Sequence, residues 1–318
     1  MTQVALFVGI DVAKEKLDGC IRGVARATAS NSPDGCAKLA AELKARGVTL
    51  AVMEASGGYE RTMAAALRRQ RVPVRIVDPK RIKDFARAAG RRAKNDPIDA
   101  NTIAWFAHTF TLAAEDKPDK EREHLAALVA ERQDLVEIRT QCLNRNEHKA
   151  PALCQHVRKN VLNEVKQGIA KLDAAIAAWI AKCPRLAARA RLLASVPGLG
   201  CKSVAALLAW LPELGHITRH QIAALLGVAP FDNDSGEHAG IRHIAGGRRQ
   251  LRNSLYMPLV GAATQHNPIL KRYYKRLLAS GKLKKVAILA CMRKLIVILN
   301  VMLAREQSWN PQPTSAQP

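Results

Sequence analysis

The chain has 318 residues, 48% of them hydrophobic, which is enough for two or three domains with their own cores and excludes a disordered or peptide-like chain. Fifty Lys and Arg against 27 Asp and Glu give a formal charge of +23 and point to a polyanionic partner, while 4% aromatic residues argue against binding dominated by base stacking. The seven cysteines are odd in number and form no CxxC pair, which speaks against a disulfide framework or a zinc site and fits a reduced, cytoplasmic setting.

From the N-terminus there is no basic segment followed by an apolar one, so no secretory signal is expected. Residues 4–10 form a short apolar run stopped at Asp11, which suits a buried strand whose end presents a carboxylate. Further strands are expected near 17–21 and 24–29. Ser32-Pro33-Asp34 then has the form of a helix start and Gly47 the place of a C-terminal cap, with Leu39 and Leu43 on the buried face. Residues 48–53 form another apolar strand ending at Glu54, followed by the Ser56-Gly57-Gly58 loop and a helix from about Glu60. A last strand covers 72–77 and is ended by Asp78-Pro79. Three strands and then helix, strand, helix and strand describe an α/β domain, assigned to residues 1–115.

Residues 116–119 read as a linker. Beyond it, apolar residues recur at helical spacing (Leu125, Leu128, Leu135, Ile138, Cys142, then Val161, Val165, Ile169, Leu172, Ile176, Trp179), which predicts a coiled-coil helical hairpin within 116–185. A mainly helical domain follows over 186–307. It opens on Val196-Pro197-Gly198-Leu199-Gly200-Cys201-Lys202, where two glycines entering a helix let backbone N–H groups approach an anion or, equally, build a plain helix-capping turn. Thr218 and Gln221 have capping-box spacing for a helix that stops at Gly227. Between Glu237 and Glu306 the chain has 14 Lys or Arg and no acid, an electrostatic footprint for nucleic acid rather than a merely soluble surface. The apolar stretch 286–304 is interrupted by Arg293 and Lys294, so no membrane span is expected. Residues 308–318, rich in Pro, Gln and Ser, are expected to be a disordered tail.

Asp11 and Glu54 each close an apolar strand, so their carboxylates converge if the strands are neighbours. Asn95-Asp96-Pro97-Ile98-Asp99 opens a helix whose i, i+3 spacing sets Asp96 and Asp99 on one face. Four carboxylates at one point repel one another unless a cation lies between them, and Mg²⁺ is the hard cation that suits oxygen ligands and phosphoryl transfer. Taken singly, Asp96 and Asp99 serve equally well as helix-start residues, and Asp11 and Glu54 as ordinary strand-end polar groups.

The blocks Gly9-Ile10-Asp11-Val12-Ala13-Lys14, Met53-Glu54-Ala55-Ser56-Gly57-Gly58-Tyr59 and Lys94-Asn95-Asp96-Pro97-Ile98-Asp99-Ala100 resemble the Asp-Glu-Asp-Asp motifs of insertion-sequence transposases of the "one-ten" family. That group includes the Piv/MooV-type DNA invertases and bridge-RNA-guided recombinases. Gly227-Val228-Ala229-Pro230, Asp234-Ser235-Gly236, Ile244-Ala245-Gly246-Gly247-Arg248 and Arg252-Asn253-Ser254-Leu255-Tyr256-Met257-Pro258 resemble its C-terminal domain. The resemblance implies a RuvC-like, ribonuclease-H-type first domain with metal ligands Asp11, Glu54, Asp96 and Asp99, and a nucleophilic Ser235 in the second. It also implies DNA as donor and target, a structured guide RNA, and a homodimer or homotetramer. Ser235 lies ahead of Arg242, His243, Arg248 and Arg249, cations able to hold a phosphate; Lys202, Arg252, Lys271, Arg272, Lys284 and Lys285 complete the expected nucleic-acid contacts. Without the resemblance Ser235 reads as a turn serine. The alternatives are a metal-dependent nuclease of branched DNA using the acids alone, and a non-catalytic nucleic-acid-binding protein. An actin-like ATPase shares the Gly-Ile-Asp strand, but no further glycine-rich phosphate loop supports it.

Overall fold

The computed structural model describes residues 5–90, 96–110, 112–114, 119–231, 240 and 242–311, with the backbone alone at 96–98. The chain divides into two compact units, residues 1–117 and 118–318.

The first unit runs β1 (Phe7–Val12), β2 (Lys16–Ile21), β3 (Ala25–Ser30), α1 (Pro33–Ala45), β4 (Leu50–Glu54), α2 (Glu60–Arg69), β5 (Val74–Val77), α3 (Pro79–Ala88) and α4 (Asp96–Phe110). The strands form one sheet in the order β3-β2-β1-β4-β5. β1, β2 and β3 are antiparallel neighbours, whereas β4 and β5 run parallel to β1 and so require the crossover helices α1 and α2. Ser32 caps α1, its side chain accepting from the Gly35 N–H, with Pro33 in the first turn. β5 starts two residues later than the apolar run suggests, because Pro73 has no N–H to add to a ladder and contributes only its carbonyl, which accepts from Ala51 N at 2.9 Å.

Strand alternation divides the core in two. Val8, Ile10, Val12, Ala51 and Met53 pack with α1 and α2, while Leu50, Val52 and Val77 pack with Ile82 of α3 and Ile103 and Phe106 of α4. α3 is an element that the strand-centred reading of the sequence passed over. It forms because the Asp78 side chain accepts from Lys80 N and Pro79 sits at the first helical position.

The second unit opens with α5 (Lys120–Asn146) and α6 (Ala152–Lys182), a hairpin of two helices about 40 and 46 Å long at 1.5 Å per residue. Then come α7 (Pro184–Ala194), α8 (Cys201–Trp210), α9 (Arg219–Leu226), the short strands β6 (Pro230–Phe231) and β7 (His243–Ile244), α10 (Arg249–Gly261), a π-helical turn (Ala262–His266), α11 (Pro268–Ala279) and α12 (Lys284–Ala304). Leu125, Val129 and Ile176 at the base of the hairpin join one core with α7 to α12. The Thr218–Gln221 capping box is present and α9 ends on left-handed Gly227. Among the described residues α12 alone is long and apolar enough to cross a membrane, and Ile288, Met292, Leu295 and Leu299 bury it in that core instead.

Candidate carboxylate site and nucleic-acid interface

β1 and β4 pair in parallel register through Ile10↔Met53, so the next step along both strands sets Asp11 beside Glu54, about 4.8 Å apart across the sheet. Since Ile10 and Met53 face α1 and α2, Asp11 and Glu54 face the side covered by α3 and α4. Gly9, two residues before Asp11 on this face, seats α4: a Cβ there would come 2.3 Å from both Ala100 O and Ala104 N. Phe7, two residues earlier still, meets His108 edge-on with ring centroids 6.0 Å apart. α4 therefore runs opposite to β1, and its first turn, with Asp96 at position one and Asp99 beside Ala100, lies toward the Asp11 end. Asp11, Glu54 and Asp99 are thus brought to one end of one sheet face. Among the described residues, however, no three Asp, Glu, His or Cys side chains stand close enough to hold a metal, and the Asp96 side chain lies outside the description.

The loops around this edge are braced. Glu60, 8% exposed, accepts through Oε2 from Ser56 N (3.0 Å), Ser56 Oγ (2.7 Å) and Gly58 N (2.9 Å), which fixes the loop after Glu54. Burial pushes the Glu60 carboxyl up, but these donors together hold it below the usual glutamate range. Asn31 Nδ2 donates to Ala13 O (2.9 Å) and Tyr59 O (3.2 Å), tying the loop after β1 to the loop after β4.

In the second unit Ser235 lies outside the described residues, but the base of its segment is defined. Phe231 pairs with His243 and Pro230 with Ile244, so the chain leaves and returns at one two-stranded ladder. Beneath it Arg252 Nη1 donates to the carbonyls of Leu226 (3.2 Å), Gly227 (3.2 Å) and Gly246 (2.9 Å). Gly227 and Gly247 both have left-handed φ and press backbone on backbone: a Cβ on Gly247 would come 2.2 Å from Gly227 N.

Arg248, expected at the phosphate, forms a bidentate pair with Glu213, both N–O distances being 2.6 Å. Burial pushes the Glu213 carboxyl up, but the Arg248 guanidinium outweighs it and holds the group below its usual range. Arg248 and Arg252 are therefore occupied as internal clamps. Lys202 stands 3.5 Å from Asp173, which Arg132 also engages. His243, Arg249, Lys271, Arg272, Lys284 and Lys285 are exposed, as is Arg242. In the Pro-Gly turn, Gly198 (φ +88°) is required by packing, since a Cβ there would come 2.6 Å from that of Ala262, whereas Gly200 opens on free space at the start of α8.

Two transposase family profiles match the sequence: an IS110-type DEDD transposase over residues 8–150, and the transposase IS116/IS110/IS902 family over residues 190–275. Together they take in more than half of the chain. The chain belongs to the IS110 family of transposases. It is 28% identical to the pilin gene-inverting proteins of Moraxella lacunata and Moraxella bovis, over 96% of its own length and 97% of theirs. It is also 32% identical to an uncharacterized insertion element IS110 protein of Streptomyces coelicolor, over 35% of this chain and 28% of that protein. Among solved structures, RuvC of Thermus thermophilus aligns with 34% of this chain and 98% of its own at 15% identity, with a TM-score of 0.27, a slight likeness.

This transposase also places at the site residues that the sequence reading missed. Asp18 stands opposite Asp11 in the β1–β2 register, held by Lys16 Nζ (2.9 Å) and Thr28 Oγ1 (3.0 Å). Its signal was the Lys-x-Asp alternation of β2. Asn31 and Glu60 gave none, because their partners, mostly backbone groups, lie in loops whose path depends on the fold.

Proposed function

We propose that the first unit is a RuvC-like, ribonuclease-H-type domain holding Mg²⁺ through Asp11, Glu54, Asp96 and Asp99. In this reading Ser235 of the second unit is the nucleophile of DNA strand exchange, and a structured RNA guides the choice of DNA. The β3-β2-β1-β4-β5 sheet, antiparallel over its first three strands and parallel thereafter, supports the fold assignment. The observation that carries the reading is the parallel β1–β4 register, which ends at Ile10↔Met53 one residue before Asp11 and Glu54, on a sheet against which Gly9 seats α4. An all-carboxylate donor set at strand ends fits a hard divalent cation, which when bound supplies charge stabilisation at a transferring phosphoryl group. The protein's own groups do the rest. The Ser235 Oγ attacks the phosphorus, loses its proton to solvent or a neighbouring base, and forms a phosphoserine as the bond to one sugar oxygen breaks and a sugar hydroxyl leaves. Attack of another strand's hydroxyl on the phosphoserine reverses these events and restores the serine, so rejoining requires no nucleotide hydrolysis. The guide RNA rests on the family resemblance, and the charge of +23 suits it.

The test is recombination of plasmids bearing the element's ends by Asp11→Asn and Glu54→Gln proteins, alongside Mn²⁺ binding followed by electron paramagnetic resonance. Both variants are expected to lose recombination and metal binding while still binding DNA. Normal recombination in either removes the carboxylate site.

A further inference from the structure

Positive charge is concentrated in the first unit as well as the second. Between residues 61 and 94 the sequence has 12 Lys or Arg and only two acids, Asp78 and Asp84. The centre of this stretch is α3, whose place in the fold is specific. β5 pairs in parallel with β4 through Glu54↔Val77, and the chain turns directly from Val77 through the Asp78 cap into α3. The helix therefore begins at the carboxylate end of the sheet. It packs on the face that bears Asp11 and Glu54, with Ile82 in the core there and Phe85 edge-on to Phe106, centroids 5.5 Å apart.

Ile82 is the only buried residue of α3, and Lys80, Arg81, Lys83 and Arg87 are all exposed. Positions 80, 83 and 87 follow the i, i+3, i+7 spacing of a single helix face, and Arg81 extends the ridge while its guanidinium lies 5.3 Å from the Phe106 ring centre. The one acid among them, Asp84, is neutralised by Lys80 at 3.1 Å. At 1.5 Å per residue, Lys83 and Arg87 lie about 6 Å apart along the axis, enough to reach two neighbouring phosphates of one strand spaced about 3.4 Å along the duplex axis.

We infer that α3 is a phosphate ridge that grips the backbone of the DNA strand presented at the Asp11–Glu54 edge. The inference rests on the reading of that edge as the place where DNA is cut, which is why the ridge is assigned to DNA and not to RNA. It supplies an electrostatic hold in the unit that carries the carboxylates, so that the strand is fixed close to the cutting point and its register does not depend on the second unit alone.

Each phosphate contact releases counterions, so its loss shallows the dependence of log affinity on log salt by about 0.9. The full-length Lys83→Gln/Arg87→Gln protein, binding a short blunt DNA duplex across a salt series, is expected to show a slope shallower than wild type by about two units, and Lys83→Gln alone by about one. Slopes equal to wild type overturn the ridge. A photocrosslinking residue substituted at Lys83 is expected to capture the duplex when DNA and a single-stranded RNA compete; capture of the RNA alone also overturns it. Asp11→Asn in the recombination assay separates the two ideas, since intact DNA cutting by that variant removes the carboxylate reading, whereas an unchanged salt slope in the double variant removes only the ridge.

Discussion

The arginines of the second unit differ in what they touch, and sequence alone ranks them equally. Arg248 and Arg249 are adjacent cations beside the Ser235 segment, yet Arg248 is committed to Glu213 and Arg249 is exposed. Arg248→Ala strips a part-buried carboxylate of its partner and is expected to cost about 2 kcal/mol of stability, read as a lower thermal midpoint, with an unchanged salt slope for DNA. Arg249→Ala is expected to do the reverse, leaving the midpoint alone and shallowing the slope by about one. The same pair has a pH signature. The Glu213 carboxyl is lowered in the folded chain, so its contribution is fully present above the ordinary glutamate value of about 4.3 and is lost as pH falls through the lower native value. Unfolding titrations from neutral pH downward should therefore show a shallower acid loss in Glu213→Gln than in wild type; identical curves would contradict the clamp. Nothing in the sequence flags Glu213 as a partner, because the pairing spans 35 residues and joins the segment between α8 and α9 to the start of α10.

At the scale of elements, the strands that end on acids were legible from their apolar runs, and so were the caps at Ser32 and Thr218, since each rests on residues adjacent in sequence. The convergence of Asp11 and Glu54 needed one further fact, that β1 and β4 are neighbours, and the position of α4 needed another. Gly9 carries that second fact: with any side chain, β1 and the α4 backbone cannot approach as they do. Gly9→Ala is expected to destabilise the first unit by about 1–3 kcal/mol and to displace the turn bearing Asp99, so that recombination falls even under conditions where the variant remains folded. The check is circular dichroism melting combined with the recombination assay, and a wild-type result in both would mean that α4 is not seated there. α3 went unread because its short amphipathic pattern, one buried isoleucine among four cations, has the composition of a surface loop.

For the whole molecule, the excess of positive charge announced a nucleic-acid partner, and the carboxylates belong to one unit of the chain and Ser235 to the other. The α5–α6 hairpin is buried at its base, but toward its tip Leu153, Val157 and Val161 are 74%, 51% and 45% exposed at i, i+4 spacing. The most direct test of the account is to trap the joined intermediate. Wild-type protein is incubated with labelled DNA carrying the element's ends, Mg²⁺ and any RNA the reaction requires, then denatured, and the protein–DNA species is mapped by mass spectrometry. The prediction is an adduct on Ser235 that is absent from Ser235→Ala and Asp11→Asn, while strand cleavage that persists in Ser235→Ala, or an adduct on Ser254 or Tyr256, would contradict it.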